Sequence, residues 1–136
     1  MKSLLVIVVD RSHGLIDACL SKDLNSYIIC SYIFDMASPL FIWDEGKNLS
    51  NQRKHGLSFE VAARVFLDPL HLSVQDRIEN GEQRWQTVGQ IDGLAVVLVA
   101  HTFMKEEGPL DEPVEVIRII SARPATRKER KRYEDG

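Results

Sequence analysis

The chain has little of what several classes of small protein depend on. Only two of its 136 residues are cysteines, Cys19 and Cys30, too few for a zinc ribbon or a disulfide scaffold. A reducing, cytoplasmic setting is therefore the default expectation. The apolar run Leu4–Val9 is far shorter than the roughly 20 residues that span a bilayer. Asp10 and Arg11 follow it, rather than a cleavage site of small residues. We therefore expect neither a membrane span nor a signal peptide.

Motifs of metal and cofactor chemistry are also missing. The histidines His13, His55, His71 and His101 form no i, i+4 pair and have no adjacent acidic cluster. The sequence contains no glycine-rich phosphate loop and no Gly-x-Ser-x-Gly element. We expect no metal and no cofactor, so any chemistry must come from the side chains alone.

A strongly basic C-terminal segment stands out in a chain whose formal net charge is −3. Arg118 and Arg123 lead into Arg127–Arg132, where Glu129 alone opposes the positive charge. Such a concentration of cations is typical of a phosphate-binding surface.

The same segment carries a helix start. Thr126 and Glu129 fit a capping box, which predicts a final helix from Thr126. The helix dipole disfavours cations in a first turn, so the presence of Arg127 and Lys128 there suggests that they serve a partner. The alternative is a solvated basic helix without a ligand.

Hydrophobic and turn patterns predict a small α+β domain, a mostly antiparallel sheet with helices packed on one face and a C-terminal basic helix. The other predicted elements are a strand at Leu40–Trp43, a polar helix over 45–54 capped by Asp44, a second helix capped by Ser58 and stopped by Asp68-Pro69, and strands at His71–Arg77, Arg84–Gly89, Leu94–Ala100 and Val114–Ser121. Asn80-Gly81 and Asp92-Gly93 mark tight turns.

Residues 1–35 differ from the rest. Leu4–Val9 and Tyr27–Phe34 each have a strand-like pattern, and Met36 precedes a sequence that is complete in itself. We interpret residues 1–35 as an N-terminal extension from an upstream start codon and residues 36–136 as the functional domain. The alternative is a genuine hairpin that docks on the sheet.

Two arginines on neighbouring predicted strands are the sharpest candidates for a site. Arg118 lies among aliphatic residues, so it either pairs with a carboxylate, Glu60 or Asp76, or faces a ligand cleft. Arg84 has the same character in the hairpin. Together they fit one phosphate, because the planar guanidinium fork matches phosphate oxygens.

Lys54 and His55 are candidates for moving protons, since ammonium and imidazole groups both serve as acids and bases in enzymes. Helix capping explains Lys54, His55 and Gly56 equally well. Glu60 either orients His55 or an arginine, or simply complements the dipole at the start of its helix.

An RNA substrate would need no metal. The ribose 2′-hydroxyl attacks the neighbouring phosphorus when the protein deprotonates it, protonates the 5′ leaving oxygen and stabilises the added negative charge. Arginines and a lysine suit the last role, and His55, Glu60 or Lys54 suit the first two.

Several motifs in a fixed order carry a family resemblance. They are Phe41–Asp44, Asn51–Glu60, Ala62–Phe66 with Asp68-Pro69, and Arg118–Arg127 with Glu129-Arg130 and Tyr133-Glu134. The sequence from about residue 40 to the end resembles the BrnT toxins of type II toxin–antitoxin systems, and residues 1–35 have no counterpart in that resemblance.

The resemblance implies a RelE-like fold, metal-independent cleavage of RNA and arrest of translation. It also implies a cognate BrnA-like ribbon-helix-helix antitoxin, with operator DNA bound only through that antitoxin. The implied catalytic set is Lys54, His55, Glu60, Arg84 and Arg118. The implied RNA contacts are Trp43, Arg123, Arg127 and Tyr133, the last of which either stacks on a base or packs back on the sheet.

A non-catalytic nucleic-acid- or partner-binding module that uses the same basic face is the alternative function. Catalysis requires a proton carrier close to both arginines, whereas binding requires only the basic surface.

Overall fold

The structure, a computed structural model, describes residues 4–10, 14–21, 40–107 and 113–136. The elements in chain order are β1 (Leu4–Asp10), β2 (Gly14–Ser21), β3 (Leu40–Asp44), α1 (Glu45–His55), α2 (Phe59–Ala62), a 3₁₀ helix (Ala63–Leu67), β4 (Leu72–Glu79), β5 (Glu82–Ile91), β6 (Ala95–Glu107), β7 (Pro113–Pro124) and α3 (Arg127–Asp135). The predicted α+β class is confirmed, although β6 and β7 are longer than the strands predicted at Leu94–Ala100 and Val114–Ser121.

The strands form one sheet in the order β2-β1-β3-β7-β6-β5-β4. Strands β3 and β7 are parallel, and every other neighbouring pair of described strands is antiparallel. The predicted four-strand meander is therefore present as β4 to β7. Its two tight turns occur where expected, because Asn80-Gly81 and Asp92-Gly93 all have positive φ, as type I′ hairpin turns require.

One face of the sheet holds the main core. Phe41 and Trp43 of β3 pack with Phe59, Ala62 and Val65 of the short helices. Residues of β6 and β7 complete this apolar layer, namely Val97, Val99, Ile117, Ile119 and Ala122. Gly89 permits the close approach of the 3₁₀ helix, since a Cβ there would lie 2.8 Å from Val65 Cγ1.

Helix α1 begins and ends as its sequence predicts. Asp44 accepts a hydrogen bond from the Lys47 amide, and Gly56 ends the helix in the left-handed region. Two buried asparagines fix it in place. Asn48 accepts from the Phe59 amide at 2.8 Å, and Asn51 bonds both the amide and the carbonyl of Ala122 at 3.1 and 2.7 Å. Asn51 therefore extends the sheet where β3 no longer covers the edge of β7.

The prediction that all helices pack on one face is wrong for α3. Glu129 and Arg132 of α3 line a small cavity with Leu72, Val88 and Leu98. Leu98 and Val88 are register partners that alternate with the core residues Val97 and Gly89, so they point to the opposite face. We call this opposite face, defined by Leu72, Val88 and Leu98, the α3 face.

Strand β1 lies between β2 and β3 and extends the sheet beyond β3. Leu4–Val8 pair antiparallel with Leu40–Asp44, and β2 pairs with β1 on its other side. The sequence analysis predicted the first of these strands but not the second, and the strand expected at Tyr27–Phe34 lies outside the described residues. That residues 1–35 are an extension from an upstream start stays a prediction.

Candidate active site

The two candidate arginines lie on the same face of the sheet. Arg118 of β7 is the register partner of Thr102 on β6. Trp85 pairs with His101, so Arg84 is the next residue opposite Thr102. Alternation along each strand therefore sends Arg84, Thr102 and Arg118 to the α3 face as one cross-strand row. The strand register therefore allows the two arginine side chains to converge, as the sequence predicted.

A shared carboxylate joins the two guanidinium groups. Both carboxylate oxygens of Glu82 lie 2.6 Å from Nη2 of Arg118, and Oε2 lies 3.5 Å from Nη2 of Arg84. The Arg118 partner is therefore Glu82, rather than the Glu60 or Asp76 suggested by the sequence. The Glu82 and Arg118 side chains remain about one third exposed, at 33% and 36%, so this pair is not locked inside the core.

The hairpin surrounds this pair with further charges. Arg77 and Arg84 are register partners on β4 and β5. Glu79 lies 3.2 Å from Arg77 and 3.8 Å from Arg84, and Asp76 lies 3.7 Å from Arg77. Carboxylates therefore surround the arginines of the row. A ligand phosphate would compete with these carboxylates for the guanidinium groups.

Two buried polar atoms of the row lack hydrogen-bond partners within the described structure. They are Nε of Arg84 and Oγ1 of Thr102, and the Thr102 residue has no exposed surface. Buried polar groups are nearly always hydrogen-bonded, because losing water without a replacement costs about 1–3 kcal/mol each. The row therefore contains two buried donors without a described partner beside the partly exposed Arg118.

The other predicted catalytic residues do not join this row. Lys54 and His55 are exposed at the end of α1, which bonds the start of α2 through Asn48, and α2 packs on the main-core face. Glu60 lies 3.5 Å from the Asn48 amide nitrogen. Among the described residues, no hydrogen bond or ion pair connects Lys54, His55 or Glu60 with Arg84 or Arg118. The sheet separates the predicted proton carriers from the predicted phosphate site.

Trp43 is a core residue. It has no exposed surface, its ring meets Phe59 edge to face, and its indole nitrogen lies 3.2 Å from Glu45. The prediction that Trp43 contacts RNA does not fit this placement, because stacking on a base needs an accessible ring.

Arg123 is engaged within the protein. Its guanidinium meets both oxygens of Glu129 at 2.9 and 2.8 Å. This hydrogen bond, with further help from Thr126, lowers the pKa of Glu129 to about 2. The Thr126–Glu129 capping box is present as predicted. Arg123 therefore ties α3 to β7, and its guanidinium is not free for the flanking RNA that the sequence analysis assigned to it.

Tyr133 was predicted either to stack on a base or to pack back on the sheet. It packs back on the domain. Its hydroxyl donates to Asp68 at 2.6 Å, and this hydrogen bond raises the pKa of Tyr133 to about 12. Asp68 also accepts from the amide of Gln90 on β5. Both ends of α3 are thus fastened to the domain.

Helix α3 keeps its basic side chains in solvent. Its exposed cations are Arg127, Lys128, Arg130, Lys131 and Arg132. The helix crosses the α3 face at Val88, and Arg84 lies four residues along the same strand, roughly 13 Å away. The basic helix and the arginine row therefore lie on one face, as a phosphate-backbone surface requires.

A buried histidine on the other face has no part in this site. His101 bonds the Thr87 hydroxyl at 2.6 Å and packs edge to face on Phe66. Burial lowers the pKa of His101 to about 4, so it is neutral at physiological pH. Within the described chain, no group of three or more histidine, cysteine or acidic residues is placed to hold a metal ion. No described helix is long and apolar enough to cross a membrane.

The fold and the site define a class of protein: a small α+β domain that carries an arginine row and a basic helix on one face of its sheet. The family model described as "Ribonuclease toxin, BrnT, of type II toxin-antitoxin system" matches residues 43–129. The chain therefore belongs to the BrnT family, whose members are ribonuclease toxins with RNA as substrate and an antitoxin as partner.

One solved structure with a related sequence is the 1.1 Å crystal structure of the Brucella abortus ribonuclease toxin BrnT. It is 24% identical to this chain, with a TM-score of 0.44, and the match covers 62% of this chain and 94% of that one. No curated protein matches the chain.

Proposed function

We propose that this protein is an endoribonuclease that cleaves RNA without a metal, by attack of the ribose 2′-hydroxyl on the adjacent phosphate. Arg84 and Arg118 hold the scissile phosphate and stabilise the charge that develops on it. The observation that carries this proposal is the cross-strand row, in which two guanidinium groups and two unsatisfied buried polar atoms share one face.

The basic helix extends the same surface. Arg127 and its neighbours on α3 hold flanking phosphates, which gives binding a sequence-independent and salt-sensitive component. Family membership supports a cytoplasmic toxin with no cofactor. The antitoxin is then a BrnA-like ribbon-helix-helix protein, and operator DNA is contacted through it. The RelE-like fold and the arrest of translation belong to the same proposal.

The experiment that tests the proposal is incubation of the purified protein with a short RNA in EDTA. We expect fragments that end in 2′,3′-cyclic phosphate and 5′-hydroxyl groups. Arg84→Ala and Arg118→Ala should each slow cleavage by about 100-fold or more, the usual cost of removing one donor to a developing charge. Arg118→Lys should restore little, because an ammonium lacks the planar fork.

Antitoxin binding is the control, because it reports on the fold independently of cleavage. Both alanine variants should still bind the antitoxin. Cleavage at the wild-type rate by either variant would show that the substituted arginine does not hold the scissile phosphate. RNA binding without any cleavage by the wild type would favour the non-catalytic binding module.

A further inference from the structure

We infer that Glu82 is the general base of this reaction, the group that takes the proton from the attacking 2′-hydroxyl. The inference rests on the proposed function. It assigns to Glu82 the role of general base, which Lys54, His55 and Glu60 do not take because they do not join the arginine row. Within the described residues, Glu82 is the one carboxylate in contact with both Arg84 and Arg118.

The contact geometry leaves room for a phosphate beside the carboxylate. Among the described residues, Arg118 makes hydrogen bonds through Nη2 alone, whereas a guanidinium has five N–H donors. The remaining N–H groups of Arg118, whose side chain is 36% exposed, are then open to phosphate oxygens, and the guanidinium of Arg84, 19% exposed, lies beside it in the row. A phosphate on these donors places its ribose next to the Glu82 carboxylate, since the 2′-oxygen is on the carbon adjacent to the ester.

Charged groups from three strands surround the Glu82 carboxylate. Arg84 from β5 and Arg118 from β7 face it, and Glu79 and Arg77 approach from β4. The carboxylate therefore lies between the two arginines that would hold the phosphate, where the 2′-hydroxyl of a bound ribose would reach it.

The step is balanced without a further reagent. A Glu82 oxygen takes the 2′-hydroxyl proton, and the 2′-oxygen forms a bond to phosphorus. The bond between phosphorus and the 5′-oxygen breaks, and the leaving oxygen takes a proton from water. The products are a 2′,3′-cyclic phosphate and a 5′-hydroxyl, and Glu82 then returns its proton to solvent.

The test compares Glu82→Gln, Glu82→Asp and, as a control, Glu115→Gln. Cleavage is measured at saturating RNA across a pH series, and affinity is measured for 2′-O-methylated RNA, which lacks the attacking hydroxyl. Glu82→Gln should slow cleavage by about 100-fold or more, as expected for loss of a general base, while binding methylated RNA at least as tightly as the wild type. Glu82→Asp should recover part of the rate.

The pH profile separates proton transfer from a structural role. If Glu82 carries the proton, the pH dependence of the wild-type rate should differ from that of the residual rate of Glu82→Gln. Glu115→Gln, the same change at an exposed glutamate of β7 that no described ion pair links to the row, should leave rate and profile nearly unchanged.

Two outcomes would overturn the inference. Glu82→Gln that cleaves as fast as or faster than the wild type would mean that Glu82 only occupies the arginines and competes with RNA. A wild type that cleaves no RNA would overturn the proposed function itself and this inference with it, so the two failures are distinguishable.

Discussion

At the scale of single residues, the site could be predicted in part. The sequence predicted that Arg84 and Arg118 converge, but it wrongly placed them on neighbouring strands, since β6 lies between β5 and β7. The register of these three strands puts both arginines on one face. Glu82 was missed because its contact with Arg118 spans strands that are not neighbours, and because a register shift near Asp76 sets how the hairpin presents it. The Asn80-Gly81 turn predicts the hairpin of β4 and β5. It does not predict which carboxylate of that hairpin reaches Arg118 on β7.

Thr102 was also missed, since a threonine within an apolar strand gives no signal of its own. Thr102→Val removes the unsatisfied hydroxyl with little change in shape. We expect the free energy of unfolding to rise by about 1 kcal/mol, because a buried group without a partner is removed. Affinity for 2′-O-methylated RNA should stay near the wild-type value, because Thr102 has no exposed surface to meet a phosphate.

Thr87→Val is the matched control for this change. The Thr87 hydroxyl is buried and bonds both His101 and Ser73. Urea unfolding should show Thr87→Val destabilised while RNA affinity is unchanged. A Thr102→Val variant that is destabilised would show that the Thr102 hydroxyl has a partner in the folded protein.

At the scale of elements, helix limits followed the sequence closely because caps are local. Asp44, Gly56, Ser58 and Thr126 all lie at the ends where they were expected. The face on which α3 packs was not predictable, because it depends on side-chain contacts far apart in sequence. Arg123–Glu129 and Tyr133–Asp68 fix that face, and neither pair is visible as a local pattern.

The attachment of α3 should depend on pH. The pKa of Glu129 is lowered from 4.5 to about 2, so its contribution to stability is complete above about pH 4.5 and is lost as pH falls toward 2. Urea unfolding should show Glu129→Gln less stable than the wild type at pH 7, by about 1 kcal/mol after allowance for solvent screening. The difference should shrink as the pH falls to 2.

Glu134→Gln provides the comparison, because Glu134 is exposed on the same helix. Its stability should track the wild type at every pH. A Glu129→Gln difference that stays constant between pH 5 and 2 would show that the charge of Glu129 does not stabilise α3.

At the scale of the whole molecule, the sheet decides which residues can act together. Strand order and register bring Arg84 and Arg118 into one row but leave Lys54, His55 and Glu60 on the side of the main core. The sequence motifs contained all five of these residues. They could not separate the two groups, because a motif gives the order of residues and not the face of the sheet on which each residue lies. The family identity was accessible from those motifs, whereas the division of the site was not.

The central claim is that Arg84 and Arg118 hold one phosphate together. A double-mutant cycle with Arg84→Ala and Arg118→Ala, measured as affinity for 2′-O-methylated RNA, tests it most directly. A shared phosphate predicts a coupling of about 0.5 kcal/mol or more between the two changes, whereas Arg118→Ala with Arg127→Ala on distant α3 should be additive within about 0.5 kcal/mol. Additive losses for Arg84 and Arg118 would contradict the account, because the two arginines would then bind RNA at separate places.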